Sequence, residues 1–426
     1  MKDLILKCLR EEVKPAMGCT EPVAIALAAA HAAKAIDEVS TIESITLMVS
    51  TNILKNALNV GVPRTKRVGL EISVAMGVFA KSDFGLSLLA ELSECDVTQA
   101  HRFQQCVPIT IVQYTGPERI YIGVKIKTTD QIHEAVLSRR HDLLTYYAVD
   151  DVVYYQDDSN SEIKKDYESL FSLKINDILK SVLEIEHSDL LFLMDGYHMN
   201  LQMAQYGLQN APGLGLGFAL AKEQLHQLEP KDLMNLAMQM TAAASDARMA
   251  GANLPVMTSN GSGNNGLTAV LPIVAASMIF KYSTEQIATA LAMSHLVNSY
   301  IKHAIGRLSP ICACGVASAT GSAVGIGYLF GIPQDQLPFI VNTMIANLSG
   351  MACDGAKLGC SLKLSTATAA AIQSVYLLKH QSYADQRNGI VGVTPEDSVR
   401  NLGLLANRGM SSADQVMTEI LLSKFN

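Results

Sequence analysis

Several things are scarce in this chain of 426 residues, and each absence excludes a class of protein. The longest apolar stretch, Leu267 to Phe280, runs about 14 residues, short of the ~20 that a bilayer-crossing helix needs. No Lys/Arg run exceeds Ser138-Arg139-Arg140-His141 and the net charge is −7, so neither a nucleic-acid nor a membrane partner is expected. Met1-Lys2-Asp3 through Glu12 is charged throughout and holds no signal-peptide core. None of the ten histidines forms an H-x-x-x-H pair, and none of the eight cysteines forms a C-x2-C pair. A histidine metal site and a zinc ribbon are therefore not expected. With no export signal, the cysteines read as reduced thiols rather than a disulfide frame. Charged residues are only 17% against 49% hydrophobic, too apolar for disorder. What is left is a cytoplasmic protein with room for two or three domains of roughly 150 residues each.

The pattern along the chain predicts an α+β fold: a mixed α/β N-terminal lobe followed by a mostly α-helical lobe around a buried central helix. Pro22 to Ile36 has an alanine-rich helical pattern. Ile45, Leu47 and Val49 alternate as in a strand. Val107 to Tyr114 and Tyr121 to Thr128 read as two further strands joined by a turn at Gly116-Pro117. The polar stretch Gln156 to Lys165 is the expected break, giving lobes at 1–160 and 185–380 and a C-terminal segment at 381–426 with a terminal helix, Ser412 to Leu422. The segments Gly215 to Leu225, Lys231 to Met249, Gly266 to Tyr282, Thr284 to Tyr300 and Ser361 to Lys379 are apolar nearly all round, as buried helices are.

Four cysteines fall in two tight groups, Ile311-Cys312-Ala313-Cys314-Gly315 and Cys353-Asp354-Gly355-Ala356-Lys357-Leu358-Gly359-Cys360. Each group precedes an apolar helix, where the helix dipole is expected to favour thiolate, the form that ligates metal. Sulfur ligands without histidine point to zinc or an iron–sulfur cluster. The alternative is that these cysteines are small buried hydrophobes, the better reading for Cys8, Cys95 and Cys106. Cys19, ahead of a helix, is either a reactive thiol or a packing residue beside an N-cap at Thr20. In Ser259-Asn260-Gly261-Ser262-Gly263-Asn264-Asn265-Gly266, the glycines satisfy G-x-G-x-x-G. No βαβ alternation surrounds them, so an anion cradle at a helix start is the stronger functional reading. Asn52, Lys55, Asn56, Lys302 and Arg307 are further candidates for orienting a carboxylate.

Met17-Gly18-Cys19-Thr20-Glu21-Pro22, Leu308-Ser309-Pro310-Ile311-Cys312-Ala313-Cys314 and Gly350-Met351-Ala352-Cys353-Asp354-Gly355-Ala356-Lys357 with Cys360 together resemble the serine dehydratase-like α-chain family, which includes L-cysteine desulfidase. The resemblance runs from the N-terminal helix to about His380. It implies a [4Fe–4S] lyase held by Cys353, Cys360 and either Cys312 or Cys314, of which Cys312 is chosen. It further implies Cys19 as an acid/base residue and Ser259-Asn260-Gly261 at the substrate carboxylate; Asn52 and Lys302 are chosen from the residue reading above as further substrate-binding candidates. The implied reaction converts L-cysteine to pyruvate, ammonia and sulfide. L-serine dehydration and a catalytically idle amino-acid binder are the alternatives, and a homodimer is the candidate assembly. A pyridoxal-phosphate enzyme is disfavoured, because no lysine loop accompanies a phosphate cup. His303, where a small polar residue is expected, and Ala413-Asp414-Gln415 depart from the family pattern.

Overall fold

Strand Ile42–Ser50 buries Ile42, Ile45, Leu47 and Val49 while Glu43 faces solvent, and this alternation sets one wall of the first core. The computed structural model describes residues 1–157, 165–226 and 232–424. Six strands stand in the order Ile109–Tyr114, Ile42–Ser50, Tyr121–Thr128, Ile132–Ser138, Leu144–Val149 and Val152–Gln156. The first pair is parallel, with Ile45 opposite Ile109, and the others are antiparallel. The alanine-rich helix Thr20–Ala33 lies against Tyr121–Thr128 and Ile132–Ser138. Each fully buried Ile, Leu or Val here contributes roughly 1.5–3 kcal/mol.

Ile109–Tyr114 and Tyr121–Thr128 are not partners, as a simple turn at Gly116-Pro117 suggested: Ile42–Ser50 lies between them. A parallel pair needs a long crossover, here supplied by helices Thr51–Ala57, Leu70–Val78 and Glu94–Cys106. A turn signal reports that the chain reverses, not which strand it then meets.

The second core is helical. Leu233–Met249 packs against Leu193–Asn210, Leu216–Leu225, Gly263–Ile279 and Cys360–Lys379, and from Gln239 to Met249 every residue is buried. Thr284–Ile305, started by a Ser283/Gln286 capping box, packs along Ala319–Leu329. The expected helix start at Lys231 lies outside the described residues, as does most of the expected break at 156–165. The fold is α+β. No described helix is long and apolar enough to cross a membrane.

The chain ties the two cores together at both ends. Helix Lys2–Glu12 buries Ile5, Cys8 and Leu9 in the helical core, and Pro15–Met17 pairs antiparallel with Pro255–Met257. Gly18, at φ +68°, then turns the chain into helix Thr20–Ala33. The terminal helix Ala413–Leu422 returns to pack on Thr51–Ala57, and Leu422 touches the sheet core.

Candidate functional site

The site begins at a turn. Asn260 and Gly261 have φ of +52° and +73°, and Ser259 and Ser262 exchange backbone hydrogen bonds of 3.1 and 3.2 Å. Two consecutive left-handed residues are what Asn-Gly permits at the tip of a two-residue hairpin. The fingerprint Gly261, Gly263 and Gly266 therefore builds this turn and the first turn of Gly263–Ile279. The short strand before it pairs with Pro15–Met17, so no dinucleotide-binding βαβ unit is formed.

One face of Thr284–Ile305 grips the turn. His295 Nδ1 lies 2.9 Å from Ser259 Oγ, which also accepts from Asn298 Nδ2 at 2.8 Å. Asn260 Nδ2 donates to Ser299 Oγ at 2.9 Å, and Lys302 Nζ donates to the Asn260 carbonyl at 3.3 Å. Positions 295, 298, 299 and 302 repeat at helical spacing, so this helix carries a buried polar stripe. The sequence reading saw an apolar helix and missed His295, Asn298 and Ser299. Polar residues at i, i+3, i+4 and i+7 within an apolar segment were the available signal.

Burial lowers the pKa of His295 to about 4 and that of Lys302 to about 8. The His295 ring is thus neutral in the folded protein at pH 7. Because the unfolded value is near 6.5, the unfolded chain takes up this proton first as the pH falls. The stability contribution is complete above pH 6.5 and is lost on descent toward pH 4, a loss of roughly 3 kcal/mol. Between pH 7 and 4, the Tm of the wild type should drop more steeply than that of His295→Gln. Parallel curves would remove His295 as the cause.

The cysteine segments meet beside this turn. Ile311 and Ala352 form an antiparallel bridge: the Cys312 N–H donates to the Met351 carbonyl at 2.8 Å, and the Cys353 N–H to that of Pro310 at 2.7 Å. Gly355, at φ +96°, folds the segment back so that Cys360 Sγ lies 3.8 Å from the Gly355 carbonyl. Cys312 acts electrostatically on both Cys353 and Cys360, and Cys314 shares a hydrogen bond with Cys312. Cys314 Sγ also lies 3.9 Å from Ser262 Oγ, which joins the thiols to the turn. Cys312 therefore neighbours the other three, whereas Cys314 faces the turn.

The surroundings of Cys312, Cys353 and Cys360 favour the thiol over the thiolate, contrary to the expectation from their helix starts. The hydrogen bond with Cys314, then burial, raises Cys312 well above the usual thiol value. Burial raises Cys353, and it raises Cys360 to about 11. Desolvation outweighs the helix dipole here. The cations around them are Lys55, Lys302, Lys357 and Lys363. Lys363 Nζ donates to the Ala352 carbonyl at 2.7 Å, and Lys357 and Lys363 both pair with Asp354. Among the described residues, no three His, Cys, Asp or Glu side chains are placed to hold a single metal ion. The donor set is nonetheless soft sulfur in a lysine-rich surround, which suits a thiolate-held group of net negative charge.

Cys19 occupies the N-cap of Thr20–Ala33 without a side-chain capping bond, so Thr20 is not the cap. Thr20 Oγ1 instead donates to the Gly261 carbonyl at 3.4 Å. Cys19 packs with Val60 and Met249 against Ala356, Leu358 and Cys360. Burial pushes its thiol up to about 12, and the nearby Arg248 guanidinium opposes that rise. Arg248, absent from the sequence reading, donates to the Gly18 carbonyl at 2.9 Å and to Asn264 Oδ1 at 3.2 Å.

Other expected residues fall elsewhere. Asn52 is buried with Oδ1 unbonded, and Lys55 and Asn56 hold the Cys353 segment. Arg307 pairs with Glu12 at 2.6 Å and, with Arg119 and Arg139, lines a cleft of about 210 Å³. His141 Nε2 is buried without a partner, and Glu21, Arg307 and Lys302 act on its ring. His303 stays exposed, its ring 4.8 Å from that of Phe171. Cys8 is buried, but Cys95 and Cys106 are exposed, so neither is a core residue.

Comparison with known proteins agrees on one family. The profile described as serine dehydratase alpha chain matches residues 85–419. The UPF0597 protein of Clostridioides difficile (strain 630) is 43% identical over 422 residues, covering 98% of this chain and 98% of its own. A UPF0597 protein of Alkaliphilus oremlandii is 43% identical over 425 residues, covering 99% and 98%. That of Caldanaerobacter subterraneus is 37% identical over 428 residues, covering 99% of each.

Proposed function

Because the chain belongs to the serine dehydratase alpha chain family, we propose that it is an iron–sulfur lyase that removes the β-substituent of a small amino acid, L-cysteine first among them. The observation that carries this reading is the meeting of Cys312, Cys353 and Cys360 beside the Asn260-Gly261 turn. These three thiols would hold a [4Fe–4S] cluster, which when bound supplies an open iron as a Lewis acid toward the β-substituent. A thiolate leaving group suits iron better than hydroxide does, which favours L-cysteine over L-serine.

The chain's own groups bind and orient the substrate. The Asn260-Gly261 turn and the Lys302 ammonium take its carboxylate, beside the buried helices Gly263–Ile279 and Thr284–Ile305, which exclude water. Cys19 Sγ moves the α-proton. Burial favours the thiol of Cys19 at rest; its proton goes to solvent water, and the Arg248 charge favours the thiolate that then takes the α-proton. Elimination releases aminoacrylate, which hydrolyses to pyruvate and ammonia, and the departing group from L-cysteine is sulfide. A reducing cytoplasm suits eight free cysteines.

The test is an anaerobic assay of pyruvate, ammonia and sulfide with L-cysteine, L-serine and L-threonine. Equal amounts of pyruvate and sulfide from L-cysteine are expected. Pyruvate from L-serine alone would make the protein a serine dehydratase, and binding without either product would make it an idle binder.

A further inference from the structure

The segment from Cys353 to Cys360 carries its own Lys357–Asp354 pair and a Cys360 N–H bond to the Lys357 carbonyl at 3.0 Å, and it is fastened further from remote parts of the chain. Lys55, with its side chain 1% exposed, donates from Nζ to the Cys353 carbonyl at 3.0 Å and pairs with Asp414 Oδ1 at 2.5 Å. One residue on, Asn56 Oδ1 accepts the Ala356 N–H at 3.2 Å, and Asn59 forms a parallel bridge with Lys357. The segment also approaches helix Thr51–Ala57 so closely that a Cβ on Gly355 would stand 2.2 Å from the Lys55 carbonyl oxygen. Asp414 comes from the first turn of the terminal helix Ala413–Leu422, which packs on that same helix.

A lysine taken this far out of water is costly, and a buried ion pair is a poor source of stability compared with apolar packing of the same volume. Its better-attested use is to specify one geometry. Here the geometry concerns the backbone of Cys353, which lies beside the Pro310–Cys312 segment and has no regular secondary structure of its own. We propose that Lys55 and Asp414 are positioning residues, a clasp through which the terminal helix and helix Thr51–Ala57 set Cys353 and Cys360 for the iron–sulfur group. This rests on the reading of that group above. Neither residue needs to touch the substrate.

The test has an arm that needs no iron. In metal-free, reduced protein, the alkylation rates of Cys353 and Cys360 by iodoacetamide are read by peptide mass spectrometry, with exposed Cys106 as internal standard. Lys55→Met and Asp414→Asn should each speed alkylation of Cys353 severalfold, because release of its backbone opens the thiol to reagent. The double variant Lys55→Met/Asp414→Leu removes both charges. It should melt near the wild-type temperature yet keep the fast alkylation. In the iron-loaded protein, release of iron to a chelator should quicken by about 10–100-fold in the same variants. Unchanged alkylation in Lys55→Met, or wild-type protection in the double variant, overturns the clasp. Wild-type protein that binds no iron overturns the reading of the group, and the alkylation rates still decide the clasp.

Discussion

Replacing Cys353 or Cys360 by serine should leave anaerobically purified protein colourless and without its iron and acid-labile sulfide. The expected drop in bound iron is at least about tenfold, because even outer partners of a metal site cost about 10–100-fold in affinity when removed. A serine hydroxyl is a harder and weaker ligand than a thiolate, so it does not restore the site. Cys312→Ser should behave like these two, since Cys312 acts on both Cys353 and Cys360. Cys314→Ser should retain iron, and the opposite result would pass the third ligand place to Cys314. Cys106→Ser, at an exposed position, is the control. Full iron retention by Cys353→Ser or Cys360→Ser would take that residue out of the ligand set.

The second large effect is expected at Lys302. The residue is 5% exposed, and its ammonium lies against the Asn260 carbonyl and has its pKa lowered to about 8 by burial. Lys302→Met keeps a similar apolar stem and removes the charge. Replacing a buried charge by an apolar side chain of similar volume is often neutral or stabilising, so the Tm should hold. The value of kcat/KM for L-cysteine should fall on the order of 10²–10³-fold, as when one preorganised donor is lost from a catalytic site. Steady-state kinetics on the iron-loaded variant, beside a thermal melt, separates the two effects. An undiminished kcat/KM with a normal melt would remove Lys302 from the substrate site.

The thiol cluster, Lys302 and the clasp rest on different amounts of sequence information. The thiol groups were legible as motifs, since two cysteine-bearing segments ahead of apolar helices stand out whatever the fold. The partners of those thiols were not. Lys55 reaches Cys353 across 298 positions and Asp414 across 359, and no local pattern encodes such a meeting. The polar stripe on Thr284–Ile305 was present in the sequence but was masked by the alanines and leucines around it.

Local periodicity was enough to set the class of the fold, the strand at Ile45 to Val49 and the main helices of the second half. Each depends on residues within a few positions of one another, where backbone geometry decides. Strand order, the neutral state of the thiols and the identity of Cys19 as a cap depend instead on what surrounds each residue. Desolvation is a property of the packed whole: the same cysteine at a helix start is acidic when wet and resists ionisation when buried. Only tertiary structure could settle which condition Cys19, Cys312, Cys353 and Cys360 meet, and it buries or largely encloses all four.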